Sequence, residues 1–292
     1  MKLTEKQKGV AALILLALFF ASMGIFARYM QTSFTLLQQV YLRITAALLL
    51  TLVIFRKNIN PSKLFKIPNK DWLILFLRSL TMYVFGVSLF TYGIINAKYS
   101  NVSFISALPL TAVFGFILLK EKFTIKKILY VLLAFLGVVF ISVPDFRNVL
   151  LWGHGELMTL ISVVFFSLSY IARKWQSKAL NNYEITAVIF AISMAIVFIT
   201  SISLGEGLPL SNWSYFLLAV VVGAGLFNVG NLLLTNYGFE RVEAVLASNI
   251  LALESLFAIA IGFMFFRETP VVRELVGGTL ILISVIKMNQ LE

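Results

Sequence analysis

Three ionisable side chains stand clear of the ends of long apolar runs: Arg43, Arg78 and Glu254. A charge near a bilayer centre costs roughly 2.5 kcal/mol or more unless it meets a partner or a wet cavity, so each is a functional candidate. Arg43 lies eight residues past Thr35, the expected start of its run, hence ~12 Å deep in a core whose half-thickness is ~15 Å. Gln39 shares its face, one turn earlier. Arg78 is shallower, and its long side chain either reaches the headgroups or turns inward. Glu254 has no such reach; it is either paired with an arginine or protonated. Guanidinium groups there suit capture of an oxyanion, and a lone carboxylate suits carriage of a proton. An arginine-glutamate pair that only locks helices together is the competing reading.

Uncharged polar residues extend the pattern. Asn228, Asn231 and Thr235 form one stripe at helical spacing. Ser103 and Ser106 precede Pro109, which removes a backbone donor and breaks a helix where protein or a cavity accepts the freed carbonyl. Interhelical hydrogen bonding is the alternative for any single one of these. Covalent chemistry finds less. His154 is the one histidine, near Glu156, and cysteine is absent; this is too little for a metal site or a base-nucleophile pair. No glycine-rich phosphate loop follows a strand. The chain reads as neither an enzyme nor a cofactor protein.

The elements that must position these residues are membrane helices. With 60% hydrophobic and 13% charged residues, and a mean hydropathy of +0.94, the chain has too little polar surface for a soluble domain. Ten apolar spans are expected at 10–29, 35–55, 72–95, 99–119, 125–143, 155–172, 185–204, 213–236, 243–266 and 272–288. The first is too long for a signal-peptide core and lacks a clear cleavage site. Trp72, Trp152, Trp175 and Trp213 fall near span ends, as interfacial anchors do.

The formal charge of +11 does not point to nucleic acid, because the basic residues occupy short segments between spans. With the amino terminus in the cytoplasm, seventeen of the 24 lysines and arginines fall in inner segments, and only Arg28, Lys98, Arg147, Arg267 and Arg273 in outer ones. This is the positive-inside bias. It implies two cytoplasmic termini in the plasma (inner) membrane of a prokaryote.

The chain also repeats itself. FASMGIFAR at 20–28 returns as FFSLSYIAR at 165–173, and Tyr92-Gly93 as Tyr237-Gly238, 145 positions on. Lys120-Glu121 returns as Arg267-Glu268 at a displacement of 147. Five spans per copy put the copies in opposite orientations, one route to alternating access. The expected units are residues 1–148 and 149–292. The displacement makes Tyr83 the counterpart of Asn228, so spans 3 and 8 should line one cavity. Glu121 and Glu268 fall at opposite faces beside basic residues, where interfacial ion pairing is expected.

Ala107-Leu108-Pro109-Leu110 leading to Leu119-Lys120-Glu121-Lys122 resembles the "P…LgE" signature of EamA-like members of the drug/metabolite transporter superfamily. Leu253-Glu254-Ser255 to Phe266-Arg267-Glu268 resembles it again, with serine where the family usually has proline. Leu136-Gly137-Val138 and Gly277-Gly278 are similar to its glycine-bearing fifth helix. The resemblance implies an all-α polytopic membrane protein of ten transmembrane helices in a five-plus-five inverted repeat. It also implies a cavity lined by spans 1 to 4 and 6 to 9, with spans 5 and 10 peripheral. Two function classes follow. One is a secondary transporter, an exporter or facilitator, of small polar metabolites such as carboxylate-bearing amino acids, with protons as the candidate coupling ion. The other is a non-transporting membrane protein, a lipid-handling enzyme or assembly subunit. The expected pathway residues are Gln39, Arg43, Arg78, Tyr83, Ser103, Ser106, Asn228, Asn231 and Glu254. The glycines of spans 5 and 10 are the sequence feature that would permit an oligomer contact.

Overall fold

The computed structural model describes residues 3–122, 124–143, 153–211, 213–267 and 269–291. These are all-helical, without a strand. The helices are α1 (Glu5–Met30), α2 (Leu36–Ile54), α3 (Pro61–Leu64), α4 (Asn69–Ser79), α5 (Ser88–Asn96), α6 (Tyr99–Ser106), α7 (Leu110–Leu118), α8 (Ile125–Ser142), α9 (His154–Trp175), α10 (Asn182–Ser203), α11 (Tyr215–Arg241), α12 (Ala244–Leu251), α13 (Leu253–Phe266) and α14 (Val272–Asn289). A π-helical stretch, Leu80–Val87, joins α4 to α5 in one continuous rod.

Among the described residues nine helical segments are long and apolar enough to cross a membrane, from Glu5–Ala27 to Ala244–Ile261. The protein is a polytopic membrane protein. α14 follows the expected tenth span, but its 18 residues include Arg273, Glu274 and Lys287. Observed ends differ from the expected ones chiefly where polar turns extend a helix beyond its apolar stretch. Thr4 and Gln7 form a reciprocal capping box that starts α1 at Glu5, and Asn181 with Glu184 does the same for α10. Such boxes satisfy backbone donors that an apolar pattern cannot report.

Two spans are broken. α6 gives way to α7 across Ala107 to Pro109, and α12 to α13 at Ala252, 145 residues further on. The second break needs no proline. The Ala252 N–H bonds back to the Asn249 carbonyl at 3.3 Å and the Ser255 N–H to the Ala252 carbonyl at 3.2 Å, a tighter three-residue turn inside the helix. After α7 and α13 the chain turns through Lys120 at φ 54° and Arg267 at φ 57°.

α1 packs along α11, and α5 with the π stretch along α9. α2 packs on α10 and α11, α7 on α9 and α12, and α8 on α14. The last pair crosses at glycines: a Cβ on Gly137 would lie 2.6 Å from the Gly277 carbonyl oxygen, and one on Gly277 2.5 Å from that of Gly137. Those glycines are used inside the chain, so they give no argument for an oligomer. Large apolar side chains such as Leu49, Val53, Ile117, Ile199 and Leu218 face outward, as a lipid-facing surface requires.

Polar contacts gather at the two ends of the bundle. One end carries Glu5 with Arg241, Arg173 with Glu240, Lys127 with Glu243, and Asn60 with Glu184. The other carries Gln38 on the Glu206 carbonyl and Asn101 on Glu156. We refer to them as the Glu5 end and the Glu206 end.

Candidate functional site

A cavity opens between α1, α2, the π stretch with α5, the α6–α7 break, α9, α11 and the α12–α13 break. α10 supplies none of its lining, which corrects the expectation that the seventh span does. α1 lines it from Phe20 to Ala27 and α9 from Val163 to Tyr170, so it sits toward mid-helix.

Arg43 enters from α2. It is 4% exposed, its Nε donates to the Gln39 carbonyl at 3.2 Å, and its Nη2 donates to Thr91 Oγ1 at 3.0 Å. Thr91 in turn donates to the Val87 carbonyl at 2.7 Å, beside the π stretch. Such stretches re-aim side chains and recur at functional sites. Here the wider turn carries Tyr83, whose ring meets Phe190 edge-on with centroids 5.4 Å apart. Gly86 lies on the same stretch, where a Cβ would come within 2.7 Å of Phe166.

Glu254 enters from the first turn of α13, immediately after the Ala252 break. It takes part in no ion pair or hydrogen bond with another described residue, and the same is true of ion pairs for Arg43. The expected alternative of a locked Arg43–Glu254 pair is therefore not what the structure contains. The guanidinium and the carboxyl face one cavity separately. Tyr83 and Tyr170 line the same cavity, and the Tyr170 ring stacks on Phe239 at 4.6 Å.

Further hydroxyl groups come from Ser103 and Ser106 at the first break and from Ser248 and Ser255 near the second. Thr111 Oγ1 and Ser167 Oγ are 2.8 Å apart across α7 and α9. Asn228 donates to the Ala224 carbonyl at 2.8 Å, whereas Asn231 Oδ1 has no protein partner. A guanidinium and an unpaired carboxyl held apart in a largely apolar chamber, with several hydroxyls, can orient a small polar solute. The described residues bring no group of three metal-ligating side chains together.

The sequence model of the EamA-like transporter family matches residues 7–143 and again 153–290. The chain belongs to this family. It is thus an integral membrane protein of a family that transports small molecules. Among curated proteins it is similar to one of Bacillus subtilis (strain 168) described as the uncharacterized transporter YcxC, with 26% identity over 211 residues, 68% of this chain and 67% of that one. Among solved structures it resembles a chain titled only as a crystal structure of protein, at a TM-score of 0.79 and 14% identity, covering 98% of this chain and 99% of the other. That likeness concerns the fold alone.

In this EamA-like transporter, seven of the nine expected pathway residues line the cavity: Arg43, Tyr83, Ser103, Ser106, Asn228, Asn231 and Glu254. Gln39 does not; its Nε2 donates to the Phe34 carbonyl at 3.1 Å, within the turn before α2. Arg78 does not either. It is fully buried nearer the Glu5 end and donates to the Ser169 carbonyl, Gln176 Oε1 and Asn236 Oδ1. Snorkelling to the headgroups is excluded by that burial. With Arg78 withdrawn, the cavity wall presents one guanidinium and one carboxyl in place of two guanidinium groups.

Sequence reasoning missed Thr91, Thr111, Ser167, Tyr170 and Ser248. The repeat held a signal for the last, because lining residues recur at 145 positions: Ala21 and Phe166, Tyr83 and Asn228, Ser103 and Ser248, Ala107 and Ala252. Glu121 also differs from expectation. Both its oxygens accept backbone N–H groups at the start of α12, from Ala244 at 2.7 Å and Val245 at 2.9 Å, where the helix dipole favours an anion. Its counterpart Glu268 lies outside the described residues, as do Lys2, Arg147 and Trp152.

Proposed function

We propose that this EamA-like transporter is a secondary transporter, an exporter or facilitator, of small polar metabolites that carry a carboxylate, such as amino acids and related compounds. The observation that carries the reading is Arg43: a buried guanidinium in a cavity wall, anchored by Gln39 and Thr91 and free of any carboxylate partner among the described residues. A guanidinium keeps its charge and offers paired donors, so a carboxylate is its natural ligand in a poorly hydrated site. Glu254, likewise without an ion partner, is the candidate carrier of a coupling proton.

Transport proceeds by alternating access between two five-helix units, residues 1–148 and 149–292, inserted in opposite senses as ten spans with α14 the last. Support comes from the two separate family matches and from the breaks at Ala107 and Ala252. Exchange of the two units also maps the observed contacts onto one another: α1 on α11 becomes α9 on α5, and α2 on α11 becomes α10 on α4. The positive-inside bias puts the Glu5 end in the cytoplasm of a prokaryotic cell.

The test is uptake by purified protein in liposomes, screened over amino acids, carboxylates and nucleotide derivatives, with and without an imposed proton gradient. Saturable movement of a carboxylate-bearing solute is the expected result. A best substrate that is a simple cation would overturn the assignment of Arg43.

A further inference from the structure

Arg78 poses a separate problem. Its guanidinium is fully buried, yet its three recorded partners are neutral: the Ser169 carbonyl at 3.3 Å, Gln176 Oε1 at 2.9 Å and Asn236 Oδ1 at 2.6 Å. Buried charges are normally matched by an opposite charge. Ser169 Oγ and Gln176 Nε2, on two of the residues that bond Arg78, and Thr235 Oγ1, next in sequence to the third, make no hydrogen bond to protein. Ser169 and Thr235 are 0% exposed and Gln176 is 8% exposed. Native interiors rarely leave such groups unsatisfied, and each is costly. Their concentration beside one unmatched cation calls for a physical cause.

Helix α11 also reaches the cavity. Asn231, whose Oδ1 is orphaned too, lines the cavity wall; Thr235 lies one turn further along α11, and Asn236 beside it holds Arg78. Buried polar positions of α11 therefore link the cavity wall, at Asn231, to Arg78, at Asn236, along a closed seam where α11 meets α9. Beyond it, Arg173 donates to the Asn236 carbonyl and to Glu240, Glu240 accepts from Arg241, and Arg241 donates to Glu5. That chain of charges closes the seam at the Glu5 end.

We propose that Arg78, with Ser169, Gln176 and Thr235, is a second anion-binding station. It takes the carboxylate of the solute after Arg43 releases it, in the conformation open at the Glu5 end. In that state water and the anion satisfy the groups that the closed seam leaves orphaned. The proposal rests on the transport reading above but makes its own claim about access and charge.

The natural absence of cysteine supplies the experiment. Thr235→Cys and Ser169→Cys are made singly, and inside-out membrane vesicles are exposed to an anionic thiosulfonate reagent and to a cationic one of similar size. The expected result is modification from the Glu5 side, at least tenfold faster for the anionic reagent. That preference is lost in Arg78→Gln and retained in Arg78→Lys, with size-exclusion profiles reporting folding of each variant. No modification of either cysteine from that side, or modification without charge preference, would overturn the station. Added acetate should slow the anionic reagent more than chloride does, and equal slowing by the two would assign the site to a halide and overturn its role in passing the solute. If uptake is observed but the cysteines stay silent, the station fails and the transport reading stands. If the cysteines show the preference and no solute in the screen moves, the anion site at Arg78 stands, while its role in passing a solute falls with the transport reading.

Discussion

Lys120 and Arg267 adopt the same left-handed backbone conformation, at φ 54° and 57°, and are the only non-glycine residues so placed in the described chain. They follow the two broken spans at equivalent points of the repeat. Glycine tolerates this region, while other residues incur roughly 1–2 kcal/mol. Lys120→Gly should therefore hold or raise the midpoint of thermal unfolding in detergent, and Lys120→Val should lower it, because a β-branched residue fits the region least. Equal behaviour of the two variants would show that the turn is not strained.

Glu121 ties the two copies together by capping α12. Replacing it with alanine removes two charge-assisted bonds to backbone donors, and a loss of about 2 kcal/mol is expected. Glu121→Gln keeps one acceptor and should lose about half as much. Thermal unfolding of the purified variants measures both, and an unchanged Glu121→Ala would contradict the capping role.

Topology can be read with cysteines introduced singly at Lys63, Lys98, Lys178 and Leu210, all exposed. An impermeant maleimide added to intact cells should mark positions 98 and 210 and leave 63 and 178 untouched. Labelling at 63 or 178 would refute ten spans with the Glu5 end inside.

The cavity charges separate by variant. Arg43→Gln should reduce transport of a carboxylate-bearing solute at least tenfold, the value of one charged hydrogen bond at roughly 1.5 kcal/mol or more, while the protein still reaches the membrane. Glu254→Gln should remove the response to an imposed proton gradient. Tyr170 faces Glu254 from α9, and Arg43 and Tyr83 share the cavity, so Tyr170→Phe serves as the control that should keep the response. Full activity in Arg43→Gln would reduce this arginine to a structural role.

Much of this protein was determined by the sequence itself, because depth along a membrane helix is one-dimensional. A rise of ~1.5 Å per residue fixes how far Arg43 lies from a span end, whatever surrounds it. Apolar run length likewise marked the membrane-crossing helices, and residues 145 positions apart recur in the cavity lining. Rotation and partners are different quantities. Lipid and protein interior are both apolar, so a membrane span carries little pattern to say which face meets its neighbours. Only the tertiary structure decided that Arg78 turns into a neutral polar nest while Arg43 turns to the cavity, since both sit in similar apolar runs. It alone placed Thr111 against Ser167 and sent Glu121 to backbone donors instead of a cation. Each of these depends on groups more than forty residues apart, and no local spacing encodes where such groups meet.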